Sequence, residues 1–224
     1  MYTIRTSSVA MEKVRGDFMI LTDKEIRNLC KFNGKNADSR NLIYPFSEDA
    51  LQSESYDISI GDRIRVLNEE IRCLSLDDQD SLDNMYIERK LDKEGYLIAP
   101  KKYILVSVKE RINLPDCITA HVRPRTKFTR AGLLLSPQHC NSTYSGYLQL
   151  GLLNASDYPI RIFPGLKFGQ IVFEELKSVP SEDKLYKNKK NASYQNEECF
   201  LGPKFDNEFK KEVTELVNLI LKKD

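Results

Sequence analysis

The densest run of chemically capable side chains is RPRTKFTRAGLLL at residues 123–135, where Arg123, Arg125, Lys127 and Arg130 fall within eight residues beside Thr126, Thr129 and Gly132. Guanidinium forks, hydroxyls and free backbone amides at a strand-to-turn junction suit a polyphosphate, because each phosphate oxygen takes several directed donors. A basic strand edge that discourages aggregation has the same composition, so the cluster alone leaves both readings open. Downstream, NSTYSGYLQLGLLN (141–154) reads as two strands joined by a Tyr-Ser-Gly turn. FPGLKFGQIVFEEL (163–176) reads as a tight turn set by Pro164, Gly165 and Gly169 that leads into an apolar strand. Unpaired amides and carbonyls along a hairpin edge can imitate the pairing partner of a pyrimidine ring. That context favours the phosphate-and-base reading of the segment Arg125 to Gly151 over the strand-edge one.

The vocabulary for metal or thiol chemistry is thin. The five cysteines form no CxxC pair, and His121 and His139 are the only histidines, which is poor material for a zinc site. His139 and Cys140 are adjacent, yet neighbours on an extended chain point to opposite faces. Cys140 is expected to pack as a small reduced hydrophobe, and no cofactor bound by protein ligands is expected. Lys+Arg 34 against Asp+Glu 33 gives a net charge of +1, so no global field draws the chain to a nucleic-acid polymer or an anionic membrane. A phosphate ligand must be held locally. No apolar run approaches the roughly 20 residues that span a bilayer, and MYTIRTSSVAMEK lacks the apolar stretch of a secretory signal. A cytoplasmic protein is the expectation.

The elements that must position these residues read as mainly β. At 224 residues the chain can bury a full core, and we expect one domain with appendages: an extension at 1–18, a β core at 19–176, a tail or lid at 177–206 and a helix at 207–224. MILTDKEIRNLCKF offers Thr22 or Asp23 as an N-cap with Ile26, Leu29 and Cys30 at helical spacing. From Ser55 onward, short runs rich in Ile, Val, Leu and Tyr are broken by Gly, Pro, Asn and Asp, the pattern of a sandwich or barrel. LSLDDQDSLDNMYIERKLDKEG (74–95) is charged and lacks a period, so it reads as a solvated excursion. The polar stretch after Leu176 carries the isolated Tyr186 and Tyr194. DNEFKKEVTELVNLILKKD places Phe209, Val213, Leu216, Val217 and Ile220 on one helical face, with Asp206 or Asn207 as cap. That face is expected to pack on its own core or on a neighbouring subunit.

The ordered blocks ILTDKEI, SYDISIG, RPRTKFTRAGLLL, YSGYLQLGLLN and PGLKFGQIVFEEL, followed by a tyrosine-rich tail ending ASYQNEE, resemble the dCTP deaminase family from about Met19 to about Phe205. That family shares its fold and trimer with dUTPases; ILTDKEI and the tail favour the deaminases. The resemblance implies a distorted, jelly-roll-like β-barrel with a few short helices, a homotrimer with pockets between subunits, and a pyrimidine deoxynucleoside triphosphate as ligand. Mg2+ would enter only as that triphosphate's counterion. By the same resemblance Arg125, Thr126 and Arg130 stand at the family's phosphate-binding arginine, serine and arginine, with Lys127 and Gln149 as further binding candidates. Asp57 stands at a structural acidic position, and Tyr186 at the tyrosine that covers bound nucleotide.

The departures concern the chemistry itself. The deaminases activate water with a glutamate whose position here is Gly151, and the dUTPases with an aspartate whose position here is Asn141. Neither residue accepts a proton. Gly151 is expected to leave a space the size of a side chain beside the reaction centre. In the tail, nucleotide-contacting lysine and glutamine positions become Ser193 and Glu197. Three readings follow. The chain binds nucleotide without either standard reaction; or it is an active dCTP deaminase or a dUTP/dCTP pyrophosphatase with a relocated acid, for which Glu197, Glu94 and Glu110 are candidates; or it is a protein-interaction trimer that displays residues 71–95 or the terminal helix.

Overall fold

The computed structural model describes residues 19–30, 41–76 and 78–221; the extension expected at 1–18 lies outside them. Strand β1 (Met19–Ile20) and helix α1 (Asp23–Cys30) come first, then β2 (Ile43–Tyr44), β3 (Tyr56–Leu67), α2 (Gln79–Asp83), β4 (Tyr86–Lys90) and β5 (Tyr96–Ile98). Strands β6 (Tyr103–Asn113) and β7 (Ile118–Pro124) follow, then the single helical turn α3 (Thr126–Arg130), β8 (Leu133–Leu135), β9 (Gln138–Cys140), β10 (Ser145–Asn154), β11 (Ile160–Ile162), β12 (Lys167–Glu175) and α4 (Asn207–Leu221). α1 starts as its sequence predicts: the Glu25 carboxylate accepts the Thr22 N–H at 2.9 Å, half of a capping box. Ile26 and Cys30 then turn into the core.

The main sheet among the described residues runs β8-β10-β6-β3-β12-β7-β9, with β1, β2 and β4 paired alongside. Its two ends, β8 and β9, are consecutive in sequence and separated only by Ser136 and Pro137. A two-residue link spans less than about 11 Å, so the sheet has to curl until its ends meet. The result is the mainly β, half-barrel architecture the strand pattern predicts. Alternation decides what lies inside: along β6, Ile104, Val106, Val108 and Ile112 are buried, while Tyr103, Leu105, Ser107 and Arg111 are half-exposed on the outer face. Ile58, Leu150, Phe168 and Phe173 complete the interior.

Several local readings change. The charged excursion contributes β4, which pairs antiparallel with β3 from Arg63↔Lys90 to Leu67↔Tyr86. Glu88 bridges Arg63 and Arg65 across that pair, and Leu82 and Leu91 are buried at its two ends. A strand with one wet face and cross-strand ion pairs shows few apolar residues, which hides its period. Tyr-Ser-Gly is not the turn: the Tyr144 N–H donates to Asn141 O at 3.1 Å, Thr143 takes a φ of 65°, and β10 begins at Ser145. Gly169 lies inside β12 rather than in the turn before it. α4 is capped by Asp206, whose carboxylate accepts the Phe209 N–H at 2.9 Å. Its Leu216, Val217 and Ile220 stay exposed, so the helix does not pack on its own core. No helix of the described residues is long and apolar enough to cross a membrane.

Candidate functional site

β9 and β10 are joined by the Asn141–Tyr144 turn but pair with different partners, β9 with β7 and β10 with β6 and β8. The two strands therefore splay. Between them lies a cavity of about 440 Å³, a size within the roughly 300–1,000 Å³ of small-molecule sites. Gln138, His139 and Asn141 line it from one strand and Leu148 and Gln149 from the other. The Gln138 amide spans the gap, donating to Gln149 O at 3.0 Å.

The tail builds the remaining walls. Asn196 N–H donates to Ser145 O at 2.7 Å and Tyr147 N–H to Glu197 O at 2.9 Å. Gln195 accepts from Ser145 N–H and donates to Thr143 O. The free edge of β10 at 145–147 is thus paired by the chain's own tail, not left open. The close approach requires Gly146, whose φ is +152° and where a Cβ would stand 2.9 Å from Glu197 N. Farther on, Phe200 lies over the Arg65 guanidinium at 4.5 Å and edge-on to Tyr86 at 5.5 Å. Tyr86, Tyr144, Tyr186, Tyr194 and Phe200 give the cavity an aromatic wall, and no Lys or Arg is in its lining. Aromatic faces beside Gln138, Asn141 and Gln149 suit a planar, uncharged ring with hydrogen-bonding edges.

Of the candidate acids, only Glu197 lines this cavity. It is 5% exposed; its Oε1 accepts the Leu201 N–H at 3.0 Å. Burial raises its pKa to about 7, against the smaller opposing effects of that hydrogen bond and of Lys204 and Arg65. Glu110 instead points into the core and accepts Ser59 N–H at 2.9 Å, and Glu94 sits exposed before β5. His139 shares the cavity with Asn141; burial first, and then the neighbouring His121, hold its pKa below the ordinary 6.5. Cys140 is buried, and burial pushes its thiol up to about 12, so it is no thiolate nucleophile.

Position 151 departs most from the sequence reading. The glycine leaves no space: a Cβ built there would stand 2.0 Å from the Tyr103 hydroxyl. Tyr103 lies two residues along β6 from the Leu105 that pairs with Gly151, the diagonal reach of a long side chain across a sheet. The Gly151 backbone is tied in addition to Ser136, through its N–H to Oγ and its O to the Ser136 N–H, both at 2.9 Å.

The basic loop is a separate feature. Arg125 caps α3 and is fixed by Asp57 at 3.1 Å and by Lys167 O at 3.2 Å. Asp57 is buried and serves to orient that guanidinium. Thr126, Lys127 and Arg130 are exposed on α3, and none of these four lines the cavity. Within one chain the structure brings Asn141, Gln149, Tyr186 and Glu197 together, and leaves Arg125, Thr126, Lys127, Arg130 and Gly151 outside. Tyr86, Gln138, Phe200 and Tyr103 escaped the sequence reading. Phe200 did leave a signal, an isolated aromatic in a polar tail; the others depend on strand register.

A family model described as dCTP deaminase-like matches residues 20–176. The dUMP-forming dCTP deaminase of Persephonella marina is 32% identical over 166 residues, 74% of this chain and 88% of that protein. The dCTP deaminase of Pyrococcus horikoshii is 33% identical over 140 residues, 62% of this chain and 78% of that one. Among solved structures, the 2'-deoxycytidine 5'-triphosphate deaminase of Agrobacterium tumefaciens superposes with a TM-score of 0.55 at 22% identity, over 74% of this chain and 51% of that one; it shows a common fold. With the match running through the whole β core and both halves of the splayed hairpin, the chain belongs to the dCTP deaminase-like family.

Proposed function

We propose that the protein binds a pyrimidine deoxynucleoside triphosphate without carrying out deamination or dUTP hydrolysis by the family's standard bases, and acts as a binding, sequestering or sensing protein. The observation that carries this reading is Tyr103 against Gly151: its hydroxyl fills the place a side chain at 151 would take. With Tyr103 in this position, a side chain at 151 has no room. Asn141, at the other expected base position, lines the cavity as a neutral amide. The aromatic and carboxamide cavity remains, which supports a base-binding role. Arg125, Thr126, Lys127 and Arg130 supply the donors a triphosphate wants, and because they lie outside the cavity of their own chain the reading includes a homotrimer in which a neighbouring subunit brings them in. In this reading magnesium would accompany the triphosphate as its counterion. The test is calorimetry with dCTP, dUTP, dTTP and their diphosphates beside assays for ammonia and pyrophosphate. Saturable binding without turnover is expected; rapid release of either product overturns the reading.

One observation favours an active enzyme instead, namely Glu197, which alone of the three candidate acids reaches the cavity. Should turnover appear and survive Glu197→Gln, that version is excluded as well.

A further inference from the structure

Resting on the pyrimidine-binding reading above, we propose that Glu197 reads the base as a neutral carboxylic acid, which couples nucleotide binding to one proton. The cavity carries no cation in its lining to pair with an ionised Glu197, and a bound ring would remove the remaining water from it. A charge left there would be desolvated with only the Leu201 N–H and the cations of Arg65 and Lys204, outside the cavity lining, to offset it, and their effect is smaller than that of burial. The geometry supplies the alternative. Oε1 is engaged as an acceptor by the Leu201 N–H, whereas Oε2 has no hydrogen-bond partner among the described residues, so Oε2 is the oxygen that carries the proton and donates. A protonated carboxyl then presents one donor and one acceptor side by side, the complement of the N–H/C=O edge of a uracil or thymine and of the N/NH2 edge of a cytosine.

The groups facing Glu197 do not titrate in its place. Tyr144 and Tyr186 are phenols raised further by burial. His139 titrates below 6.5, outside a window of pH 7 to 9. The ordinary value of a glutamate lies far below that window; here burial places the transition inside reach, at about 7. Ionised above that point in the free protein, Glu197 must regain its proton to bind.

The experiment is calorimetry of Mg2+-saturated dTTP and dCTP from pH 6 to 9, in pairs of buffers with different ionisation enthalpies. Wild type should take up close to one proton per site at pH 8 and almost none at pH 6, and its affinity should fall by up to about tenfold per pH unit above 8. Glu197→Gln should show neither the uptake nor the slope, and because it shares any titration of the triphosphate itself, it corrects for that contribution. Binding at pH 8 with no proton uptake overturns the inference, and so does a slope that persists in Glu197→Gln. The wild-type proton count stands even if the variant misfolds. Absence of binding heat at every pH is a different result: it removes the nucleotide reading, and this inference with it.

Discussion

Position 151 makes a stability prediction that is independent of any ligand. A Cβ there would meet the Tyr103 ring at 2.0 to 2.6 Å, far inside contact distance, and the Gly151 backbone cannot retreat because Ser136 holds it from both its N–H and its O. Gly151→Ala should therefore destabilise the fold by about 1–3 kcal/mol, the usual range for overpacking a filled site. Truncating the intruding ring relieves the clash, so Gly151→Ala combined with Tyr103→Ser should be clearly less damaging than the sum of the single changes. Urea unfolding of the four proteins measures the coupling; strictly additive effects would show that the ring does not occupy that space. The sequence revealed the chemical half of this story, since a glycine where a carboxylate is expected is visible by residue type. It concealed the steric half: Tyr103 and Gly151 are 48 positions apart and meet only because β6 and β10 pair in one register. The same distinction applies to Arg125, whose basic neighbourhood was evident but whose orientation by the buried Asp57 was not.

Among the elements, the tail is held to β10 by a small number of backbone bonds, and Gly146 is the position that permits them. Its φ of +152° and the 2.9 Å approach of Glu197 N to a would-be Cβ mean that Gly146→Ala strains the strand and pushes the tail away at once. A sparsely populated backbone conformation costs on the order of 1–3 kcal/mol for a residue with a side chain. The expected result is faster hydrogen exchange at the Tyr147 amide, with exchange at buried β6 and β12 amides much less affected. Equal acceleration everywhere would mean that the tail and the sheet open as one unit. Regular elements were legible in advance wherever one face is buried and one wet: β3, β6, β7, β10 and β12 follow the apolar runs, and α1 and α4 follow their caps and helical spacing. The failures share a physical cause. β4 is stabilised by ion pairs and end-on leucines rather than by an apolar face, α3 is a single turn too short for a period, and the splay of β9 from β10 is set by their outside partners rather than by the turn between them.

For the whole molecule, the separation of the basic loop from the aromatic cavity is the feature that constrains assembly. If the triphosphate needs Arg125 and Arg130 of one chain and the base needs Tyr144 and Glu197 of another, each complete site draws on two subunits of a closed ring. A variant lacking Arg125 and Arg130 and a variant with Tyr144→Ala and Glu197→Leu should each fail to bind nucleotide. Refolded together in equal amounts, they should recover about a quarter of the wild-type sites, because half of the loops and half of the cavities are intact and sites form at random between neighbours. Sites contained within one chain would recover nothing. A second recess of about 710 Å³ adjoins the cavity through Gln149 and Phe200 and carries Arg63, Arg65 and Lys109, which makes the first variant informative by itself. Should loss of Arg125 and Arg130 leave affinity intact while Arg63→Ala with Lys109→Ala abolishes it, the phosphates lie in that recess, and one subunit suffices for the whole ligand. Recovery in the mixture, with the recess variant still binding, places them across the subunit boundary; α4 separately offers an uncovered apolar face. Deletion of residues 207–224 then separates the helix from the site: a shared site that survives the deletion is assembled by the β core alone.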